Sequence, residues 1–239
     1  MKTTAAALVL VPGLMCDDTV WCAARTALAQ CLPVQVVDHG MADSLPAMAA
    51  QLLEGAPPRF AIAGHSMGGR VALEVLRQAP ERISHLALLD TGCHALQDDA
   101  AGAREREVRA GFLRLANEQG VAAMARYWVR GMLHPDRLGD VALVEEIVQM
   151  FARKPVAVFA AQISALLNRP EAGPLLPQIR VPTLVLSGDR DANSPPAANQ
   201  EMAAAISGAQ LVLLQHCGHM APQEHPVGVT AALTDWLQR

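Results

Sequence analysis

Six short segments of this chain are apolar almost without interruption: Ala5–Val11, Val34–Asp38, Phe60–Ala63, Ile83–Leu89, Val181–Ser187 and Gln210–Leu214. Each is rich in Val, Leu, Ile or Ala and bounded by Gly, Pro or Asp. A strand with one wet face alternates polar and apolar residues, so continuous hydrophobicity marks strands buried on both faces, as in a parallel sheet. Parallel strands need crossovers, and segments of helical period lie between most of these runs. Val20, Ala23, Ala24, Ala27 and Leu28 form one stripe, and Leu45, Met48, Leu52 and Leu53 another. Val71, Val75 and Leu76 form a third, and Val229, Leu233, Trp236 and Leu237 close the chain. The expected fold class is therefore α/β: a doubly wound, mostly parallel sheet of about six strands.

One region breaks the alternation. Residues 93–173 carry no convincing strand but four consecutive helical patterns. Val108, Phe112 and Leu115 mark the first, and Val121, Met124 and Trp128 the second. Val141, Val144, Ile147 and Phe151 mark the third, and Val156, Phe159, Ile163, Leu166 and Leu167 the fourth. Pro135, Pro155 and Pro170 fall where helices should start or stop. The expected organisation is a core of residues 1–92 and 174–239 with an all-helical cap at 93–173. Open α/β sheets bind ligands at the carboxyl ends of their strands, so the cap is expected to act as a lid there.

Composition narrows the function. A net charge of −4 and the lack of any Lys/Arg run give no footprint for nucleic acid or an anionic membrane. No apolar stretch approaches the roughly 20 residues that span a bilayer. The five cysteines (Cys16, Cys22, Cys31, Cys93, Cys217) lack framework spacing and read as reduced thiols. Ala5–Val11 is short for a secretory core and ends at Pro12-Gly13 without a cleavage site. The expected setting is cytoplasmic, with a small-molecule substrate and no nucleic-acid or membrane partner. Oligomeric state is left open.

Gly64-His65-Ser66-Met67-Gly68 directly follows the third apolar run and precedes a helical stripe. A serine hydroxyl is a poor nucleophile unless exposed, aimed and deprotonated by a neighbouring base. A sharp strand-to-helix turn exposes and aims it, at the cost of a strained backbone, and needs small flanking residues. That turn also leaves the Met67 amide free at a helix N-terminus to stabilise an oxyanion. A base and an acid are then expected at later strand ends. Gly188-Asp189-Arg190-Asp191 follows the fifth run, and Gln215-His216-Cys217-Gly218-His219 the sixth.

These motifs resemble the α/β-hydrolase superfamily over essentially the whole chain. The resemblance places the family's acid on Asp191 (Gly188, Asp191, Pro195) and its base on His219 (Gly218, His219, Glu224, Pro226). It implies six strands corresponding to the family's core from its third strand on, without the usual N-terminal hairpin. It also implies a second oxyanion amide at Leu14, although Pro12 stands where relatives more often have His. Trp21, where relatives often place an aromatic, and Trp128 in the cap are the expected substrate-binding residues, with packing on the core an equally good reading of Trp21. Asp189 and Asp90 are alternative acids, and His65 is expected to pack beneath the turn. A metal site among His216, Cys217, His219 and His225 is disfavoured for lack of a second ligand pair. Arg126 and Arg130 could clamp a carboxylate, but a solvated helix face is the better reading of them.

The expected activity is hydrolysis of a small or medium carboxylic ester through an acyl-enzyme, without cofactor or metal. The alternatives are a lactonase or carbon–carbon bond hydrolase, a lyase using the same triad, and a non-catalytic ligand-binding protein on this scaffold.

Overall fold

A computed structural model describes residues 5–239. The six apolar runs form one sheet: β1 (Leu8–Val11), β2 (Val34–Val36), β3 (Phe60–His65), β4 (Ile83–Leu89), β5 (Thr183–Gly188) and β6 (Gln210–Leu214). All pairings are parallel, in the order β2-β1-β3-β4-β5-β6. The four inner strands are buried at every residue, whereas edge strands β2 and β6 are partly exposed. Unbroken hydrophobicity therefore reports burial on both faces where neighbours flank the strand. Strand ends shift by a few residues. Pro182 lacks an N–H, so β5 begins after it; β3 runs on through His65, and β1 starts only at Leu8.

Helices α1 (Cys22–Leu28), α2 (Leu45–Gly55) and α3 (Met67–Gln78) connect the first four strands. In α1 the buried residues are Ala24 and Leu28, while Ala23 and Ala27 face solvent. Between β4 and β5 come α4 (Ala100–Gln119), α5 (Val121–Trp128), α6 (Val141–Ala152) and α7 (Val156–Leu167). Pro155 is the N-cap of α7, and Pro170 follows its last turn. Val141 departs from its expected stripe: it opens α6 and is 76% exposed, while Leu143, Ile147, Val148 and Phe151 carry the buried face. Helices α8 (Pro196–Ala205), α9 (Ala221–Glu224) and α10 (Pro226–Trp236) complete the core. No single described helix is long and apolar enough to cross a membrane; α6 and α7 pass that test only as a pair bent by 93°.

The strand order creates the site. The chain lays β2 on one side of β1, then crosses back to place β3 on the other. Loops leaving β1 and β3 therefore diverge, and open α/β sheets bind ligands at such a reversal. Four described non-glycine residues have positive φ: Met15, Ser66, Asp90 and His216. They follow β1, β3, β4 and β6, so strained backbone is confined to the carboxyl edge of the sheet.

Candidate active site

Ser66 joins β3 to α3 with φ 54° and ψ −118°. Ser66 N–H donates to Leu89 O at 2.8 Å, and the Thr91 hydroxyl donates to Ser66 O at 2.6 Å. The strained turn is thus held from β4 and the loop after it. A Cβ on Gly64 would run into the Gly68 carbonyl, and one on Gly68 into Val11 O of β1. Close packing of strand, turn and helix is the reason both positions need glycine.

The Ser66 hydroxyl donates to His219 Nε2 at 2.9 Å. On the other side of the ring, Nδ1 lies 2.9 and 2.8 Å from the two Asp191 carboxylate oxygens. Asp191 Oδ1 also accepts the N–H groups of Asn193 and Ser194 at 2.8 and 2.9 Å. Three residues from three strand-end loops, in chain order Ser66, Asp191, His219, thus meet in one hydrogen-bonded row.

The other acids take different places. Asp189 accepts the Cys217 N–H at 3.1 Å and ties its own loop to the histidine loop. Burial alone would raise its pKa, but the Cys217 and His216 amides hold it below the usual range. Asp90 is fully buried and accepts from Gly188 N–H at 3.0 Å and Ala221 N–H at 3.2 Å. Burial and then the charge of Asp191 push its pKa well up. Asp90 therefore joins β4 to the two loops that hold Asp191 and His219. Glu224 does similar work, with one oxygen accepting from Gly218 and Met220 N–H and the other from His134 N–H.

His65 is buried, and its Nε2–H donates to His219 O at 2.8 Å. Burial, then the neighbouring His219, pulls its pKa down to about 3, so the ring is a neutral brace. Trp21, expected to wall the pocket, is fully buried behind it, edge-on to His65 at 6.4 Å. That corrects the sequence reading: Trp21 packs in the core and has no surface on the cavity.

The β1 loop is braced from two distant elements. His39 Nε2–H donates to Pro12 O at 3.3 Å, and Gln162 Oε1 of α7 accepts the Met15 N–H at 2.8 Å. These bonds answer how a loop with Pro12 in place of histidine is held. Sequence reasoning missed both partners, which lie 27 and 147 residues away. Neither the Leu14 nor the Met67 amide donates to a protein group among the described residues, and both residues line the cavity beside Ser66.

That cavity holds about 400 Å³, between the strand ends and the inserted helices. Trp128 lines it and packs at a tilt against Phe112, Phe151 and Phe159 at centroid distances of 5.6, 5.3 and 5.8 Å. The insertion is pinned beside Ser66 and His219: His219 N–H donates to Met132 O at 2.6 Å. The residues weighed for metal do not converge. His219 faces Ser66, Cys217 is buried, and His225 accepts the Gly228 N–H. His216 stands instead near His134 and Asp136, where His216 and Asp136 are exposed. Arg126 pairs with Glu145 on the surface, and Arg130 is exposed.

A sequence model of the alpha/beta hydrolase fold matches residues 35–226, well over half of the chain. The chain belongs to the alpha/beta hydrolase fold family. Within the family, it is 26% identical over 222 residues to a pimeloyl-[acyl-carrier protein] methyl ester esterase of Nitrosomonas europaea, covering 89% of this chain and 88% of that one. It is 29% identical over 184 residues to a 2-hydroxy-6-oxononadienedioate/2-hydroxy-6-oxononatrienedioate hydrolase of Pseudomonas putida, covering 74% and 62%. Among solved structures, a thermophilic esterase from Thermogutta terrifontis superposes with a TM-score of 0.85 at 28% identity, covering 100% and 92%. An enol-lactonase from Burkholderia xenovorans shares the fold at a TM-score of 0.86 and 23% identity, covering 99% and 92%.

Proposed function

We propose that this alpha/beta hydrolase is a serine-dependent hydrolase of carboxylic esters, working through an acyl-enzyme. The observation that carries the reading is the row Ser66 Oγ–His219 Nε2–Asp191, with its 2.9 and 2.8 Å contacts. Relatives named as esterases, at 26–28% identity over most of this chain, support the reaction class.

In the proposed reaction Ser66 Oγ attacks the ester carbonyl as its proton passes to His219 Nε2. Asp191 holds the ring with Nδ1–H toward the carboxylate and offsets the charge that His219 acquires. The carbonyl oxygen becomes an oxyanion, which the free Leu14 and Met67 amides stabilise. Met67 adds the positive end of the α3 dipole. Collapse breaks the bond to the alcohol oxygen, and His219 returns its proton to that alcohol. Water then repeats the sequence on the acyl-enzyme, releasing the acid and restoring the Ser66 hydroxyl. Residues 93–173 serve as the lid, and Trp128 provides an apolar wall for a small-molecule substrate.

The test is turnover of a panel of p-nitrophenyl esters by the wild type and by Ser66→Ala. Loss of turnover with an unchanged circular-dichroism spectrum is expected, together with exclusive labelling of Ser66 by an organophosphonate. Near-wild-type activity in Ser66→Ala would overturn the assignment.

A further inference from the structure

The cavity that opens on Ser66 is not uniformly apolar. Its lining includes Arg70, Arg104, Arg109 and Arg169 but one carboxylate, Glu105. These residues come from three separate stretches of chain. Arg70 lies on α3 one turn beyond Ser66, Arg104 and Arg109 lie on α4, and Arg169 follows α7.

Glu105 is already committed. Arg169 donates to both of its oxygens at 2.9 and 2.8 Å, and Arg109 to one of them at 2.8 Å. Burial would raise the Glu105 pKa, but those two guanidiniums hold it below the usual range. Arg70 and Arg104 have no such partner. Arg70 is partly buried, donates to the His94 carbonyl at 2.8 Å, and has no carboxylate within ion-pair distance among the described residues. Burial, and then Arg169, pull its pKa down to about 10. Arg104 has no hydrogen-bond or ion-pair partner among the described residues.

A part-buried guanidinium without a carboxylate partner, as at Arg70, raises the energy of the empty site, and an anion held between it and the exposed Arg104 removes that cost. The planar guanidinium fork matches a carboxylate better than it matches any neutral group. We propose that Arg70 and Arg104, backed by Arg109 and Arg169, form an anion subsite that selects esters bearing a second, carboxylate group. This rests on the Ser66 esterase reading and names its substrate class. Glu105 keeps two of the four arginines in place and screens their mutual repulsion. The carboxylate of the substrate is held while Ser66 attacks the ester at the other end of the same molecule.

The experiment compares kcat/KM for methyl half-esters of straight-chain dicarboxylic acids with methyl esters of monocarboxylic acids of equal carbon number. At low ionic strength the charged series is expected to win by about tenfold or more, mainly through KM, for chain lengths that span the cavity. Added salt should shrink the preference as it screens the charges. Arg104→Gln and Arg70→Gln should each lower the charged-to-neutral ratio by about tenfold, the effect of losing a charge-assisted contact. Arg130→Gln, on the exposed side of the insertion, should leave that ratio as it is. Arg104 is an exposed residue, so its variant keeps the test meaningful even if Arg70→Gln misfolds. Equal turnover of both series would overturn the anion subsite and leave the esterase standing. Turnover of neither, with p-nitrophenyl esters still cleaved through Ser66, would overturn the anion subsite alone, and loss of that cleavage too would overturn both.

Discussion

The strand-end loops and the helical insertion solve different problems in the same cavity. The loops hold Ser66, Asp191 and His219 with short bonds to backbone groups, and Asp90 and Glu224 tie the loops to one another. All four described non-glycine residues with positive φ fall there. The insertion supplies breadth: an aromatic cluster around Trp128, three of the four cavity arginines, and a few ties to the loops. The proposed reaction tolerates errors of only a fraction of an ångström in its geometry, which suits a rigid sheet edge. In the proposed enzyme, substrate choice would rest on shape and charge, which packed helices provide with less backbone strain.

The comparison breaks most sharply at the loops. Ser66→Ala should lower kcat by about 10⁴-fold or more, since a triad acts as a unit. Asp191→Asn should lower kcat by about 10²- to 10⁴-fold by mis-setting the His219 ring, and Asp189→Asn by less than tenfold. Steady-state kinetics on one ester checks all three, and the reverse order for the two aspartates would move the acid.

Where the regions touch, the effect should be intermediate. Gln162→Leu removes the one side chain of α7 that accepts from the β1 loop, leaving the buried Met15 N–H unpaired. The cost should be about 1–3 kcal/mol of stability. A roughly tenfold fall in kcat is also expected, because the loop carrying Leu14 loses its brace. Gln162→Glu, which keeps an acceptor oxygen, should recover part of the kcat. A rise in KM alone would mean that the insertion shapes binding without positioning the loop.

Near neutral pH the smallest effect comes from two buried histidines. Burial pulls the pKa of His39 down to about 4, and burial followed by His219 pulls His65 down to about 3. The unfolded chain takes up these protons near 6.5 while the folded chain refuses them. Stability is therefore complete above about pH 6.5 and declines as pH falls toward 4 and then 3. Thermal unfolding midpoints should follow that trend, and His39→Asn should flatten it between 6.5 and 4.

The sheet was legible in the chain because a strand buried on both faces must be apolar at every position, whatever it packs against. The strand-to-helix turn at Ser66 was legible too, since Gly64 answers a collision with the Gly68 carbonyl four residues on, although Gly68 answers one with Val11 O of the neighbouring strand. Pairings that cross the chain were not. A periodic stripe says that a helix has an apolar face but not what lies opposite. Val108 and Phe112 line a cavity, whereas the equally periodic Ile147 and Phe151 sit in a closed core. Trp21 shows the same limit, since an aromatic after β1 can turn toward substrate or, as here, toward His65.

The sequence by itself therefore determined the α/β layers, the loops after β3, β5 and β6 in which Ser66, Asp191 and His219 stand, and the run of helices between β4 and β5. Each depends on local period, local sterics or the position of a loop relative to its strand. Only the tertiary structure decided that Gln162 reaches Met15 across 147 residues, and that arginines 70, 104, 109 and 169 share one cavity with a single carboxylate. Those outcomes depend on how helices cross and which way long side chains point, and neither quantity is carried by spacing along the chain.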